Sequence, residues 1–223
     1  LTAESSCIDV GNNAAIPSGL VADLDGNPRI VNDVVDMGAY EKLPAVYHVK
    51  ANAAGANNGA SWADAYTDLQ SALAAASSGD EIWVAAGTYK PTGGANRAMY
   101  FDPPAGVKIY GGFAGTESAR SQRDWDANPT ILSGDLSGND NANISRTEAT
   151  RADNSIHILK IHNKTTAVVL DGLTITGGNA DTVVLGNFDG AGAGIYMFKS
   201  VATIRNCIFE KNTANVAASL YDD

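Results

Sequence analysis

The constraint that decides most about this chain is how its apolar residues are grouped. From Glu81 onward they come in short runs, each broken by Asn, Gly, Asp or Pro. The runs are Ile82-Trp-Val84, Val107-Lys-Ile-Tyr110, Thr130-Ile-Leu132, Ile156 to Ile161, Val168-Val-Leu170, Leu173-Thr-Ile175, Ile195-Tyr-Met197, Thr203-Ile204 and Cys207-Ile-Phe209. Runs of this length, rich in β-branched and aromatic residues and bounded by turn residues, read as strands. Several also repeat. Leu170-Asp-Gly-Leu-Thr-Ile overlays Ile204-Arg-Asn-Cys-Ile-Phe at a step of 34, so Leu170 falls on Ile204, Leu173 on Cys207 and Ile175 on Phe209. Gly194-Ile-Tyr196 overlays Ser219-Leu-Tyr221 at a step of 25. Self-similarity at periods of ~20–50 residues indicates a solenoid, in which each unit buries its apolar face by stacking on the next. The expected fold is all-β: a right-handed parallel β-helix with one N-terminal capping α-helix over about residues 68–76.

That helix is the one segment with helical periodicity. Leu69, Ala72, Leu73 and Ala76 recur at its spacing. Thr67 and Gln70 read as a capping box in front of it, and Ser77-Ser-Gly79 ends it. Its narrow apolar stripe has to lie on something, and the open end of the first coil is the natural support.

Residues 1–43 have a different character. Cys7 to Gly11 and Val35 to Glu41 read as short strands flanking a turn-rich loop, Val21 to Ile30. Their apolar supply is small: Ile8, Val10, Leu24, Ile30, Val34, Val35, Met37 and Tyr40 are nearly all of it. A segment this poor in apolar residues does not offset its ordering entropy unless it packs on something else. The expected division is therefore 1–43, a closing segment, and 44–223, the N-terminal part of a β-helix that is incomplete at its C-terminal end. The chain lacks an initial Met and a signal peptide and stops without a turn, so it reads as a piece of a longer protein.

Charge narrows the partners. Fifteen basic residues stand against 25 acidic ones, a net of −10, which opposes nucleic-acid binding. No apolar run reaches the ~18 residues of a membrane span. Cys7 and Cys207 do not make a disulfide framework or a zinc spacing. Cys207, overlaid on Leu173, is expected to be a buried free thiol.

Candidate chemistry is sparse. Asp135, Asp171, Asp189 and Glu210 are isolated acids, whereas glycoside hydrolysis needs facing carboxylates. Arg205 could serve as a base, but it overlays Asp171, and a salt bridge between the two is the simpler reading. No catalytic residue is assigned. Asp23, Asp25 and Asn27 are the calcium candidates, with oxygen ligands at alternate positions and a Gly turn, although the bidentate Glu of a calcium loop is missing. Calcium is the one cofactor considered. Arg29 is expected to pair with Asp36 or Asp33. His48, His157 and His162 are scattered, the last two on opposite strand faces. Trp62, Tyr66, Trp83, Tyr89 and Tyr110 are read as covering the helix–coil junction, with a sugar platform as the alternative. Asn at turns suits the left-handed backbone conformation.

Gly192-Ala-Gly-Ile-Tyr196 and Phe209-Glu-Lys-Asn212 resemble the repeats of bacterial polymorphic outer membrane proteins, which alternate a Gly-Gly-Ala-Ile element with Phe-x-x-Asn. The usual Gly-Gly pair is loosened here at Ala191-Gly-Ala-Gly194. Gly-Ala-Ser-Trp-Ala-Asp-Ala-Tyr66, Gly79-Asp-Glu-Ile-Trp-Val-Ala-Ala-Gly-Thr-Tyr89 and Ile109-Tyr-Gly-Gly-Phe-Ala-Gly-Thr-Glu117 resemble the opening of large bacterial surface β-helices of the pectin-lyase-like superfamily. Residues 5–41 resemble the segment that closes such helices. Those resemblances imply a secreted or cell-surface bacterial protein in which a closing segment precedes an opening one, as in a tandem array. The implied function is a non-enzymatic structural or adhesive segment assembling head to tail into a filament or stalk. Its partners would be copies of itself, adjacent modules and surface glycans, with no nucleic acid. Lyases and hydrolases of the superfamily act on acidic polysaccharides, so an enzyme fragment or a carbohydrate-binding module is the alternative.

Overall fold

The structure is a computed structural model that describes residues 5–31, 34–181 and 190–222. By contact density the chain divides into two compact units, residues 1–45 and 46–223.

The first unit contains no extended strand ladder among its described residues. The segments expected as strands around Cys7 and Val35 do lie alongside each other, with Gly11 N donating to Val35 O and Met37 N to Cys7 O, both at 2.8 Å. Several of the other N–H groups here are taken by side chains instead of a neighbouring strand. Asp36 Oδ1 accepts from Asp9 N, Asp36 Oδ2 from Lys42 N, Glu41 from Asp36 N, and Asn13 Oδ1 from Val35 N. Side-chain acceptors of this kind compete directly with a ladder, so the expected strands are capped turns.

The second unit is β-rich, and all its named strand pairs are parallel. Its first four strands are Val46–Val49 (β1), Glu81–Ala85 (β2), Gly87–Tyr89 (β3) and Lys108–Phe113 (β4). Thr130–Ser133 (β5), Leu159–His162 (β6), Val168–Asp171 (β7), Leu173–Thr176 (β8) and Asn179–Ala180 (β9) follow. Ile195–Phe198 (β10), Ala202–Arg205 (β11), Ile208–Glu210 (β12), Thr213–Ala214 (β13) and Leu220–Asp222 (β14) are the remaining strands among the described residues. They form four sheets, ordered β1-β2-β4-β7-β11, β3-β5-β8-β12, β6-β10-β14 and β9-β13. The chain visits the sheets in turn and adds one strand at each visit. The clearest pass is β7-β8-β9-β10, followed by β11-β12-β13-β14.

The register reproduces both sequence overlays. Ile204 lies on Leu170 and Phe209 on Ile175, and Ile195 and Tyr196 lie on Leu220 and Tyr221. The corners repeat as well. Gly172 (φ +75°) is followed 34 residues later by Asn206 (φ +51°), and Gly177 (φ +80°) by Lys211 (φ +52°). Asn57 and Asn163 also occupy the left-handed region, as Asn tolerates it best after Gly. A Cβ on Gly172 would strain a backbone at φ +75° and would crowd the Gly111 carbonyl oxygen at 3.1 Å, while the Arg123 guanidinium at 2.9 Å would have to shift.

The core runs between the sheets: Val49, Ile82, Val84, Ile109, Leu132, Ile161, Leu170, Leu173, Ile175 and Ile195 are buried. The only α-helix among the described residues, α1 (Leu69–Ala75), packs against β1 and β2 and contributes Leu69, Ala72 and Leu73 to that core. Its N-cap is Asp68 and not Thr67. Asp68 Oδ1 accepts from Ser71 N, and Oδ2 from the Ser71 hydroxyl, both at 2.8 Å. The helix therefore starts one residue later than the capping-box reading placed it. Gln70 is freed to turn outward, where its amide donates to Pro91 O and Tyr100 O at 2.9 Å.

Candidate functional site

The five-stranded sheet buries alternate side chains and presents the others on its outer face. Glu81 and Trp83 of β2, Tyr110 of β4, Asp171 of β7 and Arg205 of β11 fall in the outer register. The loop after β4 folds over this face. Glu117 fixes its start by accepting from the backbone N–H groups of Ala114, Gly115 and Thr116. Burial alone would raise the Glu117 pKa, but these donors outweigh it and leave it lowered. Gln122 Oε1 accepts from Ser118 N and Ala119 N, and Trp62 Nε1 donates to Glu117 O at 2.8 Å.

The loop so held places Arg120, Arg123 and Trp125 beside Tyr110. An open groove of about 490 Å³ is lined by Glu81, Arg120, Ser121, Arg123 and Trp125. The Arg123 guanidinium lies 5.2 Å from the Tyr110 ring centroid and 4.9 Å from that of Trp125. It pairs with Asp171 Oδ2 at 2.8 Å and donates to the Asp171 and Gly111 carbonyls. Arg205 Nε reaches the same Asp171 oxygen at 2.7 Å, and Asn206 donates to the other at 2.9 Å. The pairing of Arg205 with Asp171 is the one expected from the overlay. Burial pushes the Asp171 pKa up, but the hydrogen bonds from Asn206, Arg123 and Arg205 prevail and lower it. An ionised carboxylate that accepts from three partners is a charge anchor and a poor proton acceptor. Arg120 pairs with Glu81 and donates to the Tyr110 hydroxyl. Its side chain is 45% exposed and that of Arg205 53%, so both keep donors turned to solvent. Neither Arg120, Arg123 nor Trp125 was marked by the sequence reading. Their spacing, Arg-x-x-Arg-x-Trp, was the available signal, but their partners lie on strands from three different passes.

The aromatic residues of the sequence reading do not share one surface. Trp62 and Trp83 meet at Phe113, where Trp83 stacks at 4.9 Å. Tyr66 leans on Tyr47, and Tyr110 carries the arginines. Tyr89 is in the core, its hydroxyl bonded to Ala85 O, and burial raises its pKa to about 12. His48 packs between Trp62 and Trp83, and His157 is buried beside Tyr196. His162 is exposed on the outer face of β6.

In the first unit Asp23 caps its own loop. Oδ1 accepts from Asp25 N and Asn27 N, and Oδ2 from Asn27 Nδ2 and Glu41 N. Chief among the causes, the Glu41 N–H holds the Asp23 pKa below its usual value. Four N–H donors occupy the oxygens that a cation would need. Among the described residues no group of three or more His, Cys, Asp or Glu side chains converges for a metal. Arg29 pairs with Glu41, not with Asp36, because Asp36 is committed to backbone N–H groups; Asp33 lies outside the described residues, as does Asp189. Cys7 and Cys207 are both free. Cys207 is half-buried, not fully buried, because its strand pass is the outermost one.

That outermost pass is the second notable surface. Val168, Leu170, Leu173 and Ile175 are fully or almost fully buried. Ala202, Ile204, Cys207 and Phe209, stacked on them 34 residues later, are only partly buried. Val201, Ile208 and Val216 around them are more than half exposed.

No protein-family model matches the chain, and no curated protein or solved structure matches it. No helix among the described residues is long and apolar enough to cross a membrane.

Proposed function

We propose that residues 46–223 are coils of a right-handed parallel β-helix, with α1 capping the first, and that the chain is a structural and adhesive segment of a bacterial surface or secreted protein. Its work is extension by stacking coil upon coil, with residues 1–43 as the closing segment of a preceding module. The observation that carries this reading is the difference between two passes in the same register. Leu170 and Ile175 are buried while Ile204 and Phe209 directly on top of them are not. An apolar row with free strand edges beside it is a template for another strand pass, supplied by further coils of the same protein, by an adjacent module or by a second copy. Contact of that kind is heterologous and propagates. The cyclic order of the sheets and the repeated left-handed corners support the solenoid part of the reading.

Light scattering across micromolar concentrations tests it. Mass should rise with concentration, and Ile204→Asp with Phe209→Asp should hold the chain monomeric. A wild-type chain that stays monomeric throughout would sink the self-assembly part. The arginine–aromatic groove favours a second role, contact with glycans, because the Arg120 side chain is 45% exposed and Trp125, which lines the same groove, is 38% exposed.

A further inference from the structure

A smaller cleft on the three-stranded sheet carries a more specific ligand chemistry. Phe101 bridges to Leu159, with Phe101 N bonded to Ile158 O and Lys160 N to Phe101 O. Phe101 is fully buried, so its neighbours Tyr100 and Asp102 turn outward, next to Lys160 and His162 of β6. These four residues line a cleft of about 290 Å³. The Lys160 ammonium lies 4.9 Å from the Tyr100 ring centroid and 5.4 Å from that of Tyr196. It has no carboxylate or hydrogen-bond partner among the described residues. His162 stacks on Phe198 at 5.1 Å and 17°, its ring nitrogens likewise without a partner. Lys199 sits 4.9 Å from the same Phe198 ring, and Lys164 pairs with Asp102 at 3.0 Å.

Three lysines thus lie in or beside a cleft that Asp102 alone lines with a carboxylate, in a chain whose net charge is −10. The more buried cations are paired: Arg29, Arg97, Arg123 and Arg151 all meet carboxylates. Lys160 instead holds an uncompensated charge between two rings at the mouth of a cleft. Lysine is a point donor without the planar fork by which arginine reads a carboxylate. Lys160 and His162 project from the same face of β6, two residues apart, and Lys164 and Lys199 follow β6 and the neighbouring β10, which gathers several single-point donors suited to the oxygens of a tetrahedral oxyanion. Asp102 accepts, so it can take a hydroxyl, and it repels a continuous polyanion. The volume lies at the small end of the ~300–1,000 Å³ range of ligand pockets, room for one sugar ring.

We infer that this cleft binds a single sugar residue carrying a tetrahedral oxyanion, a sulfate or phosphate ester, held by Lys160 and His162 with Asp102 on a ring hydroxyl. The inference rests on the adhesive part of the proposed function, whose stacking part is tested separately by mass.

Isothermal titration of the full chain tests it with N-acetylglucosamine 6-sulfate, glucose 6-phosphate, glucuronate, N-acetylglucosamine and sodium sulfate. Binding of either ester, tighter than that of glucuronate, the neutral sugar and inorganic sulfate, supports the inference and tells the two esters apart. Lys160→Met should weaken the better ester roughly tenfold or more, the loss of one charge-assisted hydrogen bond. His162→Ala, at an exposed position, should weaken it as well, while Lys90→Met should not. Glucuronate binding as tightly as the esters, inorganic sulfate binding as tightly, or Lys160→Met and His162→Ala both binding like wild type would each overturn it. These outcomes are independent of whether the chain self-associates.

Discussion

Leu170 and Ile204 occupy the same place on two successive passes, so truncating each to Ala measures what covers a pass. Leu170 is fully buried, with Ile109 in register on one side and Ile204 on the other. Leu170→Ala removes its transfer energy and leaves a cavity walled by two strands that cannot close in without breaking their ladder. The expected cost is about 3–5 kcal/mol. Ile204 rests on Leu170 but is open on its other side. Water fills the space left by Ile204→Ala, the cavity contribution vanishes, and roughly half the transfer energy remains, about 1–2 kcal/mol. Urea unfolding by circular dichroism at low protein concentration reads both, as shifts of the midpoint at unchanged slope. Stacking adds a second dimension: as concentration rises and the outer pass becomes covered, the cost of Ile204→Ala should climb toward that of Leu170→Ala. Equal costs at the lowest concentration would refute the reasoning, since the two passes would then be equally buried in the isolated chain.

Asp68→Ala should lower stability by about 1 kcal/mol through loss of the N-cap, and Thr67→Ala by much less. A thermal melt ranking them the other way would return the cap to Thr67. Asp171→Asn weakens the charge anchor under Arg123, whose side chain is only 10% exposed, and should cost roughly 3 kcal/mol at neutral pH. Because the folded pKa of Asp171 is lowered, the wild-type advantage is fully present above the unfolded value of about 4 and is lost as pH falls through the folded one. Urea midpoints that stay equally far apart from pH 7 down to pH 2 would contradict this. Tyr89 should titrate at about 12, so ultraviolet titration should show a late tyrosinate step that Tyr89→Phe removes. Its neutral form is the one the fold favours, and the stability it contributes below pH ~10 is lost as pH rises toward 12.

The sequence carried the strand passes because stacking is written in a repeated apolar pattern. Once Leu170, Leu173 and Ile175 match Ile204, Cys207 and Phe209, register follows. It carried the corner at Asn206, since Gly and Asn share the left-handed preference. It did not carry the corner at Lys211, where a residue without that preference is held in place by the pass beneath it. The helix start slipped by one residue because Thr67 and Asp68 both precede a polar residue three positions on, and the backbone path chooses between them. In the first unit the strands failed for a non-local reason: the acceptors for Asp9, Val35 and Glu41 N–H groups lie 18 to 27 residues away. Both clefts were invisible for the same reason. Arg123 gains its role from Tyr110 and Asp171, and Lys160 from Tyr100 and Tyr196, and none of these pairs shares a local pattern.

Asp171 also bears on how the molecule comes apart. In a stack where each pass touches only its neighbours, the outermost pass can peel away alone, and unfolding proceeds from the end. Here one carboxylate on β7 receives Arg123 from the loop after β4, and Arg205 and Asn206 from β11 and the corner after it. Three consecutive passes are riveted through a single side chain. Lifting off β11 strips Asp171 of two of its three partners and leaves Arg123 with half-satisfied company. Fraying of β11 would therefore also weaken the anchor that holds Arg123, so the edge strand is coupled through Asp171 to the loop after β4.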